Sequence, residues 1–598
     1  MFQSFETTAA PDRGPARLER LRRAMKMKGL DGIIVPRTDA HQGEYVADCD
    51  ARLAWLTGFT GSAGFCIVLN HVAGVFIDGR YRNQVLTQVD LEHFTPVPWP
   101  ETQPGPWLID QITGPTRIGF DPWLHSRGEI EQLQKAVQNA PITLVPTDNL
   151  VDQIWADRPA APNAPITLQP LEFSGRSRED KCGELADELM SRGLKAQVLT
   201  LSDSIAWLLN IRGTDIEHIP VVQGFAILHD DAHVDFFTEE GREGIALLGA
   251  GLTIHPTRSF APALQKLNGP VGVDRANAPY FVSHTLDISG IEFEWNEDPT
   301  IFPKARKNPT ELQGARQAHL RDAAAMVEFL SWYDAADQTN LTEIDLVTEL
   351  EGFRRATNAL EDISFETISG AGPNGAVIHY RVTHDSNRQL ASGNLVVLDS
   401  GGQYRDGTTD ITRTLAVGPV GHEEKRCFTL VLQGMIALSR VRFPKGRSGR
   451  DLDPIARYPL WAEHQDYNHG TGHGVGAFLS VHEGPQRFSA ISEIELEPGM
   501  ILSNEPGYYR DGAFGIRIEN LVVVENARPL PSGDTTRQMM GLETLTYVPI
   551  DTSLVIKDML SAAEKDWLNA YHAACLAMIS PRVSQTAQVW LEGACAPI

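Results

Sequence analysis

Apolar residues recur at helical spacing through Leu312, Ala315, Leu320, Ala323, Met326, Phe329 and Leu330. This periodicity predicts an amphipathic helix. Its start is marked too: Asn308 can cap, Pro309 suits the first helical position, and Glu311 completes a capping-box spacing. Further along, strand-like apolar runs dominate 394–417 and 500–525, with Asp406-Gly407 as a turn dipeptide in the first. The stretch after residue 305 therefore reads as α+β with antiparallel strands. Before it, helical and strand patterns alternate, which predicts α/β layers around a mostly buried sheet.

Two Pro-rich stretches, one holding Pro159, Pro162 and Pro165 and the other Pro299, Pro303 and Pro309, read as irregular linkers. They leave three segments, 1–156, 157–305 and 306–598, of sensible domain size. The first two look like diverged copies of one unit. Each opens with an amphipathic helix and then a β-like run, LDGIIVP at 30–36 and LKAQVLTL at 194–201. Each continues with Ala-Trp-Leu, at 54–56 and 206–208, and then Gly-Phe before another strand, at 64–65 and 224–225. Matching order over this many positions favours duplication over coincidence.

The 598 residues carry a formal charge of −25, which argues against nucleic acid as the main partner. With 42% hydrophobic and 22% charged residues, wholesale disorder is excluded. The six cysteines include no C-x-x-C pair and read as reduced, buried thiols. No stretch has the apolar length of a signal peptide or a membrane helix, so the expectation is a cytoplasmic protein without a membrane partner. Near the C-terminus, the stripe Trp567, Leu568, Tyr571 and Cys575 reads as core before it reads as a subunit contact.

Candidate chemistry concentrates after residue 390. Asp399 ends an apolar strand run and Asp410 lies eleven residues on, so a hairpin would bring them together. Taken alone, two surface aspartates flanking a turn are the commoner explanation. The stretch YNHGTGHGVGAFLSVHEGP, 467–485, changes the balance with His469, His473 and His482. Its glycines argue against a helix and for an irregular strand whose backbone passes close to something. Glu505 follows a strand run, and Glu519 sits inside a run from Gly515 to Val523, where period two would put Arg517 and Glu519 on one face. Four carboxylates and one imidazole brought together could not all stay ionised uncompensated. Two divalent cations would balance them, and oxygen-dominated ligation with one nitrogen suits Mn, Co, Fe or catalytic Zn. Such a pair bridged by water is a hydrolytic centre.

Six stretches carry a family resemblance: ISFETISGAGPNGAVIHYRV at 363–382, VVLDSGGQYRDGTTDITRT at 396–414, HGTGHGVG at 469–476, VHEGP at 481–485, SNEPGYY at 503–509 and GIRIEN at 515–520. Through them the third segment resembles the pita-bread metallopeptidases, specifically the Xaa-Pro aminopeptidase (aminopeptidase P) family. RGTDIEHIPV at 212–221 and EKDWLNAYH at 564–572 look like that family's long, three-domain, cytosolic form. The resemblance implies two creatinase-type N-terminal α/β domains, 1–156 and 157–305, and a pita-bread catalytic domain with a C-terminal extension, 306–598. It implies that Asp399 ligates one metal, that Asp410 and Glu519 bridge both, and that His473 and Glu505 complete the other ion's shell. It further implies that His379 and His482 bond the substrate and developing oxyanion, that His469 lines the site near a proline pocket, and that Arg517 supports the carboxylates. The implied cofactor is a pair of divalent ions, manganese first, with cobalt or zinc as alternatives, in a homodimer. The expected activity is release of the N-terminal residue from peptides with proline second, by attack of a metal-bridging hydroxide, Glu505 moving the proton. A dipeptidase of the same fold, a non-catalytic peptide-binding scaffold and hydrolysis of a non-peptide are the alternatives.

Overall fold

The computed structural model describes every residue except Ala250, Pro531, Ser532 and Thr535. The chain divides into two compact units. One comprises Thr8–Leu171 and Arg176–Thr300; the other comprises Met1–Thr7, Glu172–Gly175 and Ile301–Ile598.

The first unit holds two six-stranded sheets. In the earlier sheet the strands are β1 (Gly32–Pro36), β2 (Phe65–Leu69), β3 (Ala73–Ile77), β4 (Thr95–Pro98), β5 (Thr116–Phe120) and β6 (Ile142–Pro146), in the order β4-β3-β2-β1-β5-β6. The later one uses β7 (Ala196–Leu199), β8 (Phe225–His229), β9 (Val234–Thr238), β10 (Leu252–Pro256), β11 (Val271–Val273) and β12 (Phe293–Trp295), in the order β10-β9-β8-β7-β11-β12. Position for position, the antiparallel and parallel pairings agree as well. The repeat extends to single contacts. Arg17, from the helix Gly14–Lys28, lies over the Trp55 ring at 4.5 Å and donates to the Trp55 carbonyl. Lys181, from the helix Arg178–Arg192, lies over Trp207 at 4.3 Å and donates to the Trp207 carbonyl. Both tryptophans belong to the Ala-Trp-Leu helices, Arg52–Thr57 and Ser202–Leu209. A buried cation satisfied by a carbonyl and a ring face is thus retained in both copies, the cation–π contact offsetting part of its desolvation.

In the second unit the helix Pro309–Ala335 starts as the spacing predicts, with a capping box between Asn308 and Glu311. Its apolar face joins the main core, which also takes in Leu568, Tyr571 and Cys575 from the helix Ala562–Ile579. All strand pairs that form the site are antiparallel. A three-stranded sheet holds β13 (Ile368–Ala371), β14 (Leu395–Ser400) and β15 (Ile411–Ala416). A five-stranded sheet includes β16 (Gly472–Gly474), β17 (Glu483–Phe488), β18 (Ile501–Asn504) and, beyond a two-stranded ribbon of β19 (Gly507–Arg510) and β20 (Phe514–Arg517), β21 (Asn520–Val524).

Three local expectations are corrected. The run Gly515–Val523 is not one strand: β20 ends at Arg517 and β21 begins at Asn520, so Ile518 and Glu519 form a break, yet Arg517 and Glu519 still meet on one side, both bonded to Thr412 Oγ1 at 3.3 and 2.8 Å. The hairpin turn is Arg405-Asp406, with Gly407 already paired to Tyr404, because Asp406 is held by both outer nitrogens of Arg321 at 2.9 and 3.0 Å. The second Pro-rich stretch is not irregular. It contains the helix Ile301–Ala305, and Lys304 and Lys307 are buried against the Glu483 carboxylate. All six cysteines are free and buried, and among the described residues no helix is long and apolar enough to cross a membrane.

Candidate metal centre

Five elements deliver the acidic residues and the imidazole. β14 presents Asp399 directly opposite Thr412 of β15, and Asp410 lies just before that strand. β16 presents His473 at its centre. Glu505 follows β18, and Glu519 lies in the break before β21. The glycines around His473 have a packing reason. A Cβ on Gly472 would meet the Ser503 carbonyl oxygen at 1.9 Å, and one on Gly474 would meet that of Glu483 at 2.1 Å. The close backbone approach read from the sequence is thus to the two neighbouring strands.

The geometry converges. Ligand atoms of Asp410, His473 and Glu519 all lie within 4.8 Å of one another. His473 Nδ1 donates to the Gly474 carbonyl at 2.9 Å, which leaves the lone pair on Nε2. That Nε2 stands 3.5 Å from Asp410 Oδ2 and 3.4 Å from Glu505 Oε1. Glu505 Oε1 accepts from Ser503 Oγ at 3.0 Å, and Glu519 Oε2 accepts from Thr412 Oγ1 at 2.8 Å. Arg517, fully buried, donates from Nη2 and Nε to Asp399 Oδ2 at 2.6 and 3.2 Å. It also donates to Tyr509 OH at 2.6 Å and to the Ile378 carbonyl at 3.2 Å.

Three carboxylate oxygens, Asp399 Oδ1, Asp410 Oδ1 and Glu519 Oε1, are buried with no hydrogen-bond partner. A buried anion without donors is costly. Burial, and after it the neighbouring Asp399 and Glu505, push Asp410 well above the usual carboxylate range. For Glu519 the causes are again burial, then Asp410, Glu505 and Asp399. Oxygen donors crowded this way, with one imidazole nitrogen among them, fit divalent cations, which would supply the missing positive partners.

The other histidines of the sequence reading flank this cluster. The His482 ring lies 4.2 Å from that of His473, and His379 lies 6.4 Å from His482. His469 Nε2 bonds Tyr509 OH at 3.0 Å, its ring rests against Tyr467 at 4.8 Å, and its Nδ1 is 4.0 Å from Glu505 Oε2. All nine residues singled out from the sequence are therefore in one neighbourhood. Thr412, Ser503 and Tyr509 were missed. The first two could have been found from strand pairing and period two, being directly opposite Asp399 and two residues before Glu505.

Comparison with known proteins agrees with this architecture. Family models for the Creatinase/Prolidase N-terminal domain match 17–154 and 157–311, that for metallopeptidase family M24 matches 313–526, and that for the C-terminal region of peptidase M24 matches 538–598. Aminopeptidase P2 of Arabidopsis thaliana is 39% identical over 94% of this chain and 85% of its own length. The chain belongs to the aminopeptidase P family. A crystal structure of the X-prolyl aminopeptidase of Caenorhabditis elegans, described as a cytosolic enzyme with a di-nuclear active site, matches at TM-score 0.93 and 32% identity, covering 98% of this chain and 100% of that one. The Xaa-Pro dipeptidase of Bacillus anthracis shares the fold alone, at TM-score 0.51 and 23% identity over 63% of this chain and 99% of that one. Membership of the aminopeptidase P family thus spans both creatinase-type domains and the pita-bread domain, as the resemblance implied.

Proposed function

We propose that the chain is a metal-dependent Xaa-Pro aminopeptidase, releasing the N-terminal residue from peptides whose second residue is proline. The observation that carries this reading is the convergence of Asp399, Asp410, His473, Glu505 and Glu519, three of them with orphaned buried oxygens. These five would hold two divalent ions, with manganese as the proposed pair and cobalt or zinc as alternatives. Bound there, the ions would acidify water and polarise the scissile carbonyl.

The chain's own residues do the rest. Glu505, 16% exposed at its side chain, is more accessible than Asp399 or Asp410. It takes the proton of the attacking water at Oε2, the oxygen that Ser503 does not engage, and returns it to the leaving proline nitrogen. His482 and His379 donate to the carbonyl oxygen as negative charge develops. His469, fixed by Tyr509 and Tyr467, forms a wall for the proline ring. A tertiary Xaa-Pro amide has no N–H, so specificity comes from ring packing rather than a hydrogen bond at nitrogen. Arg517 holds Asp399 in place.

A cytoplasmic location, a homodimer and domain boundaries at 156/157 and 305/306 belong to the same reading. Sedimentation and limited proteolysis test the last two. Activity is tested with a tripeptide carrying proline second, its alanine counterpart, and an Xaa-Pro dipeptide, with and without chelator. Cleavage of the proline tripeptide that is lost with chelator and regained with Mn²⁺ supports the proposal. Cleavage confined to the dipeptide would favour a dipeptidase, and cleavage indifferent to chelation would refute it.

A further inference from the structure

Next to Thr412 on β15 lies Arg413, 2% exposed. Alternation along the strand turns Thr412 toward Glu519 and Arg413 to the opposite face. Among the described residues Arg413 makes no ion pair. It donates instead to six neutral acceptors: the carbonyls of Thr412 (2.9 Å), Glu519 (2.6 Å), Val548 (2.7 Å) and Pro549 (3.1 Å), Asn520 Oδ1 (2.9 Å) and Tyr571 OH (2.9 Å). A buried guanidinium satisfied this way is rigid, because each lost acceptor would leave a buried charged donor unpaired.

Besides the Thr412 hydroxyl on its carboxylate, Glu519 is held through its backbone. It lies in the break between β20 and β21, and its backbone is tied by its N–H to the Thr412 carbonyl at 3.2 Å and by its own carbonyl to Arg413. Three of the Arg413 acceptors, Val548, Pro549 and Tyr571, come from the C-terminal region beyond residue 538. The Tyr571 hydroxyl is itself fixed, accepting from the Val548 N–H at 3.2 Å and lying 2.7 Å from the Val548 carbonyl.

We propose that the C-terminal region positions the metal centre: Tyr571 and the 548–549 backbone orient Arg413, which sets the aim of Glu519. Arg413 and Tyr571 are then positioning residues, touching neither substrate nor metal. The inference rests on the proposed role of Glu519 as a ligand. In the test, Mn²⁺ is titrated calorimetrically into the chelator-stripped whole chain, and kcat and KM for a proline-second tripeptide are measured after reloading. Arg413→Gln is expected to weaken Mn²⁺ binding roughly 10–100-fold, the usual effect of removing a partner that orients a ligand. Arg413→Lys recovers part of the loss, Tyr571→Phe loses less than Arg413→Gln, and in each kcat falls more than KM changes. Leu591→Ala, which opens a cavity at a buried position of the helix Gln585–Ala594, lowers stability in chemical denaturation monitored within the second unit without weakening Mn²⁺ binding. Wild-type Mn²⁺ affinity and kcat in Tyr571→Phe, which decides alone if Arg413→Gln does not fold, would overturn the proposal. So would a loss of affinity in Leu591→Ala equal to that in Tyr571→Phe. A wild-type chain that takes up no Mn²⁺ overturns the ligand reading itself, and this inference with it.

Discussion

Replacing Arg517 by Met isolates the electrostatics of the centre. Asp399 Oδ1 already has no hydrogen-bond partner, and the donors to Oδ2 are Nε and Nη2 of Arg517. Without the guanidinium, a buried carboxylate loses its hydrogen-bonded charge, while the Ile378 carbonyl and Tyr509 lose a partner each. Breaking a buried pair on one side costs about 3–5 kcal/mol. The whole chain has two compact units, so global unfolding is an unsuitable readout. Hydrogen exchange of the metal-free protein over 395–416 reports the local opening equilibrium instead. At 1.36 kcal/mol per tenfold, the expected acceleration is roughly 10²- to 10⁴-fold. The double variant Arg517→Met with Asp399→Leu should recover most of this protection, since a pair of apolar side chains leaves no unpaired charge. Unchanged exchange in Arg517→Met, or no recovery in the double variant, would refute the assignment of Arg517 as the counter-charge of Asp399.

Glu505→Gln keeps the shape but removes the proton acceptor, so kcat on a proline tripeptide should drop by about 10²- to 10⁴-fold with KM little changed; a KM-dominated loss would contradict the acid–base role. Stability of the chelator-stripped chain should fall with rising pH. Burial raises Asp410 and Glu519 above their unfolded values, so the folded state holds protons that the unfolded chain has released, and stability is lost as pH climbs through the window above the ordinary carboxylate range. Chemical denaturation monitored within the second unit between mildly acidic and mildly basic pH checks this, and Mn²⁺ should remove the fall. Asn308→Ala deletes the cap on Thr310 and Glu311 and a bond to the Ser174 carbonyl. It should cost about 1–2 kcal/mol by chemical denaturation monitored within the second unit.

Much of this protein is legible in its sequence where the signal is local. The Asn308 cap needs four consecutive residues, and the strand that carries Asp399 and the one that leads into Glu505 are short apolar runs that announce themselves. The duplication in the first unit is legible because Ala-Trp-Leu and Gly-Phe recur in order. The contact common to both copies, a cation seated on each tryptophan, is not legible, because Arg17 and Lys181 differ in kind. The failures are non-local. Nothing in GIRIENLVV marks a break at Ile518-Glu519, since the residues that compel it, Thr412 and Arg413, lie more than a hundred positions earlier. Residues 2–7 join the second unit through partners such as Thr367 and His384, which no window around them contains. The histidines were found as chemistry and the glycines as close approach, but what the backbone approaches became visible only with β17 and β18 in place.

Anomalous X-ray diffraction from crystals grown with Mn²⁺ bears most directly on the central claim. Two peaks, both enclosed by the side chains of Asp399, Asp410, His473, Glu505 and Glu519, are the result this account requires. Ions located elsewhere, or one ion with Asp399 or Glu505 turned away from it, would contradict it.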